Sequence, residues 1–106
     1  MSTSIARRAT LVANTVSFVT IEGDFAEIEV TNRSGSAEVF YRLGLTEAAT
    51  LDPTTTDVRG DTFLLPAAIT SRRHVVRGRE PRTVVKLISA GTPSIEVQGL
   101  DPQVTL

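Results

Sequence analysis

Apolar and polar residues alternate along most of this chain, and a period of two puts side chains on opposite faces, as a half-buried strand requires. In FAEIEVTN, Ala26, Ile28 and Val30 share one face, and Glu27, Glu29 and Thr31 the other. In AEVFYRLG, Ala37, Val39, Tyr41 and Leu43 alternate with Glu38, Phe40 and Arg42, giving one apolar and one mixed face. Between these runs lies NRSGS, whose Asn32, Gly35 and serines favour the backbone angles of a tight reversal. Residues 25–43 are therefore expected to form a β-hairpin.

The same pattern predicts a strand in TLVANTVSFVTI, or two strands bent at Asn14, closed by Gly23 and Asp24. DTFLLPA, HVVRG, TVVKLIS and SIEVQGL are further β-prone runs, separated by REPR and AGTP with their proline and glycine turn signals. Helix has support only in Leu45–Leu51, which Pro53 soon closes, so GLTEAATLDPTTTDVRGD is expected to be a surface excursion with one helical turn. Residues 1–8 show little periodicity and are expected to be a flexible N-terminal arm, with the folded domain over 9–106. The expected fold is all-β: a single antiparallel β-sandwich of about seven or eight strands, jelly-roll or immunoglobulin-like, since both derive from the same alternation.

Composition agrees with one folded domain. The chain has 106 residues, of which 41% are hydrophobic and 22% charged. Cysteine is absent, so disulfides and thiolate metal sites are excluded. No apolar run approaches the roughly 20 residues of a membrane-spanning helix, and the first residues lack the sustained apolar stretch of a secretory signal. Neither membrane association nor export is expected. Net charge is −1, without the global excess of a nucleic-acid binder. Its distribution is uneven. Glu22, Asp24, Glu27 and Glu29 form an acidic segment, while Arg72 to Lys86 holds six basic residues against Glu80, so the molecule is expected to be dipolar.

Candidate chemistry is sparse. His74 is the single histidine, no metal-ligand spacing or nucleophile elbow surrounds it, and its arginine neighbours disfavour an imidazolium. Glu27 and Glu29 lie on the outward face of a strand, as solvated charges do. Asp52, Asp57 and Asp61 lack the dense ligand alternation of a calcium loop and read as turn and cap formers. Arg59-Gly60-Asp61 reads as a glycine turn, and Asn32-Arg33-Ser34 matches a glycosylation acceptor only on an exported chain. The chain is expected to be non-enzymatic, with no catalytic residue, metal or cofactor.

SRRHVVRGREPR, Ser71 to Arg82, holds five arginines. No aromatic residue interleaves them, which argues against direct contact with nucleic acid through base stacking. Alternation puts Arg73, Val75, Arg77 and Arg79 on one side, and Arg72, His74 and Val76 on the other. Arginine on both faces fits an edge hairpin, where it blocks uncontrolled strand pairing and can grip acidic protein surface.

Three stretches carry a resemblance: FAEIEVTNRSGSAEVFYRLG, LDPTTTDVRGDTFLLPA and TVVKLISAGTPSIEVQGL. Over about residues 10–100 the chain resembles the small β-sandwich virion structural proteins of tailed bacteriophages, especially those infecting actinobacteria. The resemblance implies a capsid decoration or cement protein, made in the bacterial host cytoplasm and placed on the capsid exterior. Its implied partners are the major capsid protein and other copies of itself, most often as a trimer. The alternatives are a tail or head-to-tail connector component and, less favoured without tryptophan, a carbohydrate-binding module. The residues expected to meet a partner are Arg7 and Arg8 in the arm, with Arg72, Arg73, Arg77, Arg79 and Arg82 in the basic cluster.

Overall fold

The computed structural model describes residues 5–23, 25–76 and 82–100, and the alternating runs become eight strands. They are β1 (Ile5–Thr10), β2 (Ser17–Glu22), β3 (Glu27–Asn32), β4 (Val39–Gly44), β5 (Phe63–Leu65), β6 (Thr70–Val75), β7 (Arg82–Ile88) and β8 (Ser94–Leu100). All pairings are antiparallel, in two packed four-stranded sheets ordered β1-β8-β3-β6 and β2-β7-β4-β5.

Four of those pairings follow one rule: β1 meets β8, β2 meets β7, β3 meets β6 and β4 meets β5. The chain is one long antiparallel ribbon, doubled back at its β4–β5 tip and wound so that β3 joins β8 and β4 joins β7. This order is the jelly roll, which decides between the two sandwich arrangements that alternation left open. An immunoglobulin-like sandwich would set β1 beside β2 in one sheet; here they lie in different sheets, joined through a bend at Asn14 with φ of 57°.

Parity selects the core. In β8, Ile95 and Val97 are buried while Glu96 and Gln98 stay half-exposed, and β3 repeats the pattern with Ile28 and Val30 against Glu27 and Glu29. Across the sandwich they meet Val39, Tyr41, Val85 and Leu87 in one apolar cluster. Burying each such aliphatic side chain contributes about 1.5–3 kcal/mol.

Three expectations need correction. Residues 25–43 are not a hairpin, because β3 and β4 belong to different sheets. Asn32 lies at an inward position and is fully buried, and its amide ties the crossing chain to both sides. Its Nδ2 donates to the carbonyls of Ala37 at 2.8 Å and Pro66 at 3.0 Å, and its Oδ1 accepts from the Gly35 N–H at 3.0 Å. Gly35 sits at φ of 65°, where a Cβ would come 2.8 Å from the Ile69 nitrogen. The turn residues thus build a reversal that changes sheets. Secondly, the arm expected over residues 1–8 is a paired strand from Ile5 onward, each residue matched to β8; residues 1–4 lie outside the described residues. Thirdly, β6 is an edge strand as expected, but it does not form a hairpin with β7, which lies inside the other sheet.

The connection over 45–62 returns over the outer face of β4 and β7. Asp52 accepts from Lys86 Nζ at 2.8 Å, Thr62 accepts from Arg42 Nη1 at 2.6 Å, and Asp61 pairs with the same guanidinium. Thr50 packs so closely on Gly44 that a Cβ there would overlap its hydroxyl. Arg42, Val84 and Lys86 are consequently buried although they point away from the core. The loop carries a single bonded helical turn, Thr50 N–H to the Thr46 carbonyl at 3.1 Å. It is a strap held down at three points.

Removing one hold should loosen the strap. Asp61→Ala takes the carboxylate from the buried Arg42 guanidinium and leaves it with Thr62, which destabilises the fold. The expected result is a lower urea midpoint with an unchanged m-value; an unchanged midpoint would mean that the strap contributes nothing to stability.

Candidate functional site

β6 splits its arginines by parity. Ser71, Arg73 and Val75 point to the outer face of the first sheet, and Thr70, Arg72 and His74 point toward the opposite sheet. Register then sets Arg73 directly across from Glu29 on β3. Its Nε lies 3.4 Å from Glu29 Oε2, and its Nη1 lies 3.6 Å from Glu27 Oε1, an ion-pair distance that leaves this buried oxygen without a hydrogen bond. On the other side of the sheet Arg8 Nε donates to Glu96 Oε2 at 2.8 Å. The outer face is therefore an acidic stripe on β3 and β8 flanked by arginine on β1 and β6.

Among the described residues, much of the acidic segment lies against the basic one; Asp24, Arg77, Arg79 and Glu80 lie outside them. Arg82 Nε reaches Glu22 Oε1 at 3.3 Å across the β2–β7 ladder. Arg59 bonds Asp57 in the strap and holds its carboxyl well below the usual carboxylate range. Asp52, Asp57 and Asp61 thus each meet a different cation, Lys86, Arg59 and Arg42. Both charged residues of Arg59-Gly60-Asp61 are engaged, around a turn closed by the Thr62 N–H on the Arg59 carbonyl at 3.1 Å. The exposed Arg82–Glu22 pair contributes about 0–1 kcal/mol, so it cancels charge more than it holds the fold.

Of the residues expected to meet a partner, Arg8, Arg73 and Arg82 are thus occupied within the molecule. Arg77 and Arg79 lie outside the described residues. Arg7 and Arg72 remain exposed with no carboxylate in reach among the described residues. They occupy the two ends of one cross-strand row: Arg7 pairs with Val97, Val97 with Val30, and Val30 with Arg72. Arg33, which the sequence reading did not single out, is a third exposed arginine of this kind. It borders a hollow of about 280 Å³ beside Arg8, Thr10 and Ser94. Its visible sign in the sequence was only its place in the Asn32–Gly35 reversal.

Arg72 and His74 close the seam where the edge strands of the two sheets meet. The Arg72 guanidinium stands 5.1 Å over the Phe63 ring, and the Phe63 and His74 ring centres are 4.3 Å apart. Beneath them the buried Tyr41 hydroxyl lies 2.6 Å from His74 Nε2, a hydrogen bond from one sheet to the other. Burial pushes the Tyr41 hydroxyl well above its ordinary value, the more so because the opposing effect of Arg72 is smaller. Burial and then Arg72 push His74 below its ordinary value. Both groups are therefore favoured in their neutral forms, and the bond joins a neutral phenol to a neutral imidazole. Arg42, Asp61, Phe63 and Val76 complete a hollow of about 330 Å³ here. The one histidine serves as a strut between sheets, a role that the sequence hides because Tyr41 lies 33 residues away.

The chain matches no family model, no curated protein and no solved structure.

The strut ties stability to pH. His74 binds its proton less readily in the folded state than at its unfolded value of 6.5, so the unfolded chain gains the proton first on acidification. Stability should hold above about pH 6.5 and decline as pH falls toward the lower folded value. Urea midpoints measured from about pH 7.5 to about pH 5.5 should fall for the natural chain and stay flatter for His74→Gln. Equal slopes in the two proteins would remove His74 from the account.

Proposed function

We propose that this chain is a non-enzymatic structural protein of a tailed-phage virion, a decoration protein that binds the outer shell and bridges neighbouring capsid subunits. The observation that carries the reading is the row joining Arg7 to Arg72. Two guanidinium groups with no carboxylate partner among the described residues stand on opposite border strands of one stiff sheet, whose backbones lie three strand spacings, or about 14 Å, apart. A rigid body with a cationic group at each side is suited to touch two acidic surfaces at once. Symmetry then multiplies individually weak contacts into avidity. The three stretches that resemble phage virion proteins include β3, β4, β5, β7 and β8, and so much of both sheets. The major capsid protein is the partner in this reading, and the capsid exterior its location.

Guanidinium is suited to this role because its planar fork can take a carboxylate through two parallel hydrogen bonds, and it keeps its charge at any physiological pH. Arg7 and Arg72 differ in how far each is committed within the molecule. Among the described residues Arg7 bonds only its neighbour's carbonyl, Ala6, at 3.3 Å, whereas Arg72 already rests on Phe63. Arg7 is thus the freer contact, and Arg72 the more preorganised.

Electron cryo-microscopy of assembled particles tests the location: density for this sandwich on the shell at high copy number supports the reading, and its absence from the shell overturns it. Co-sedimentation with capsids tests the residues. Arg7→Glu with Arg72→Glu should weaken binding by about tenfold, or about 1.4 kcal/mol. Added salt should weaken the natural protein toward the level of the variant. Equal binding by both proteins at low salt would show that the row does not carry the contact.

A further inference from the structure

Four strands border the two sheets: β1 and β6 in one, β2 and β5 in the other. A border strand offers unpaired N–H and C=O groups to any other chain, and charge, proline or shortness prevents their use. The four borders are not protected alike. In β1, Arg7 and Arg8 occupy the third and fourth of six positions, and in β6 Arg72 and Arg73 occupy the same two. Antiparallel self-pairing about the centre of either strand would bring arginine onto arginine. β5 has three residues and runs directly into Pro66.

β2 lacks all three protections. Its central positions are Val19 and Thr20, and Ser17–Glu22 contains no lysine, arginine or proline. Its one charge, Glu22, sits at the strand end and is bonded to Arg82. The residues are β-branched or aromatic for most of the strand, the composition that pairs best. Among the described residues, no strand pairs with its outer side. Phe18 points away from the core on this border and is 49% exposed, next to the outer-face row of Leu64, Phe40 and Ile88.

We infer that β2 is a self-association edge, on which a second copy of this chain lays its own β2 antiparallel across a two-fold axis. The two β2-β7-β4-β5 sheets become one sheet of eight strands. A dyad at Val19 or at Thr20 keeps inward residues opposite inward residues, as the pleat requires. Neither position brings like charges together, because Glu22 then faces Phe18 or lies beyond the paired segment. The contact is self-complementary and closes at two copies, as an isologous interface does. It differs from the trimer that the resemblance implies, and it concerns the free protein, so it stands or falls independently of the virion reading.

Sedimentation equilibrium of the full chain, from micromolar to near-millimolar concentration, decides the matter together with hydrogen exchange of residues 17–22. A dimer that dissociates on dilution is expected, with β2 amides protected only in the dimer. Thr20→Lys sets lysine at the strand centre and should raise the dissociation constant at least tenfold. Phe18→Lys, at a more exposed position, serves where Thr20→Lys fails to fold; far-UV circular dichroism identifies that case. Arg8→Ala, on β1 at a border of the other sheet, should leave the constant unchanged. A chain monomeric throughout, a trimer, or a dimer that a folded Thr20→Lys or Phe18→Lys variant leaves intact would each overturn the inference. So would β2 amides protected in the dilute monomer, which would mean that the chain covers this border itself.

Discussion

The antiparallel ribbon is the constraint from which the other features descend. Alternation commits each strand to burying one face, and a single core must receive all of those faces. Winding the ribbon satisfies both demands, because each strand finds its ladder partner along the ribbon and its face partner across the sandwich. Once β4 pairs β5 and β3 pairs β6, β5 and β6 become borders of opposite sheets, linked through residues 66–69. Their inward side chains then meet at an open seam. Phe63, His74 and Arg72 fill it, and the Tyr41 hydroxyl bonds across it. The strap has the same origin: the ribbon's tip is a long connection, and the basic side chains on the outer face of β4 and β7 draw its aspartates down.

Electrostatics here is mostly internal. Strand register sets Arg73 against Glu29, Arg8 against Glu96 and Arg82 against Glu22, so charges that look segregated along the sequence become neighbours across ladders. Such pairs add little free energy. They decide instead which cations are left to act on something else: among the described residues these are Arg7 and Arg72 at the borders of one sheet and Arg33 just past the end of β3.

Much of the fold was legible in alternation. SIEVQGL is β8 over its whole length, TVVKLIS overlaps β7, and the bend at Asn14 separates β1 from β2. The fate of NRSGS was not legible, because Asn32 and Gly35 specify a reversal without saying whether the next strand stays in the sheet. Parity is blind to that choice, since Ile28 and Val39 reach the same core either way. The first strand was missed because Ala6, Arg7 and Arg8 carry little apolar contrast, and β8 supplies the reason that they extend. HVVRG placed the sixth strand too far along for a similar reason: pairing with β3 begins at Thr70, well before the apolar pair Val75–Val76. The seam could not be read at all, since Tyr41, Phe63 and His74 meet only through sheet order.

The place of β8 has a consequence for how the molecule is made. It lies between β1 and β3, inside its sheet, yet among the described strands it leaves the ribosome last. Until then β1 has no ladder partner, and β3 has only β6. Closing that gap joins segments from opposite ends of the chain, the kind of long-range pairing that makes folding slow. The nascent protein must therefore carry an open trough in its middle until β8 emerges, and structure there arrives in one step.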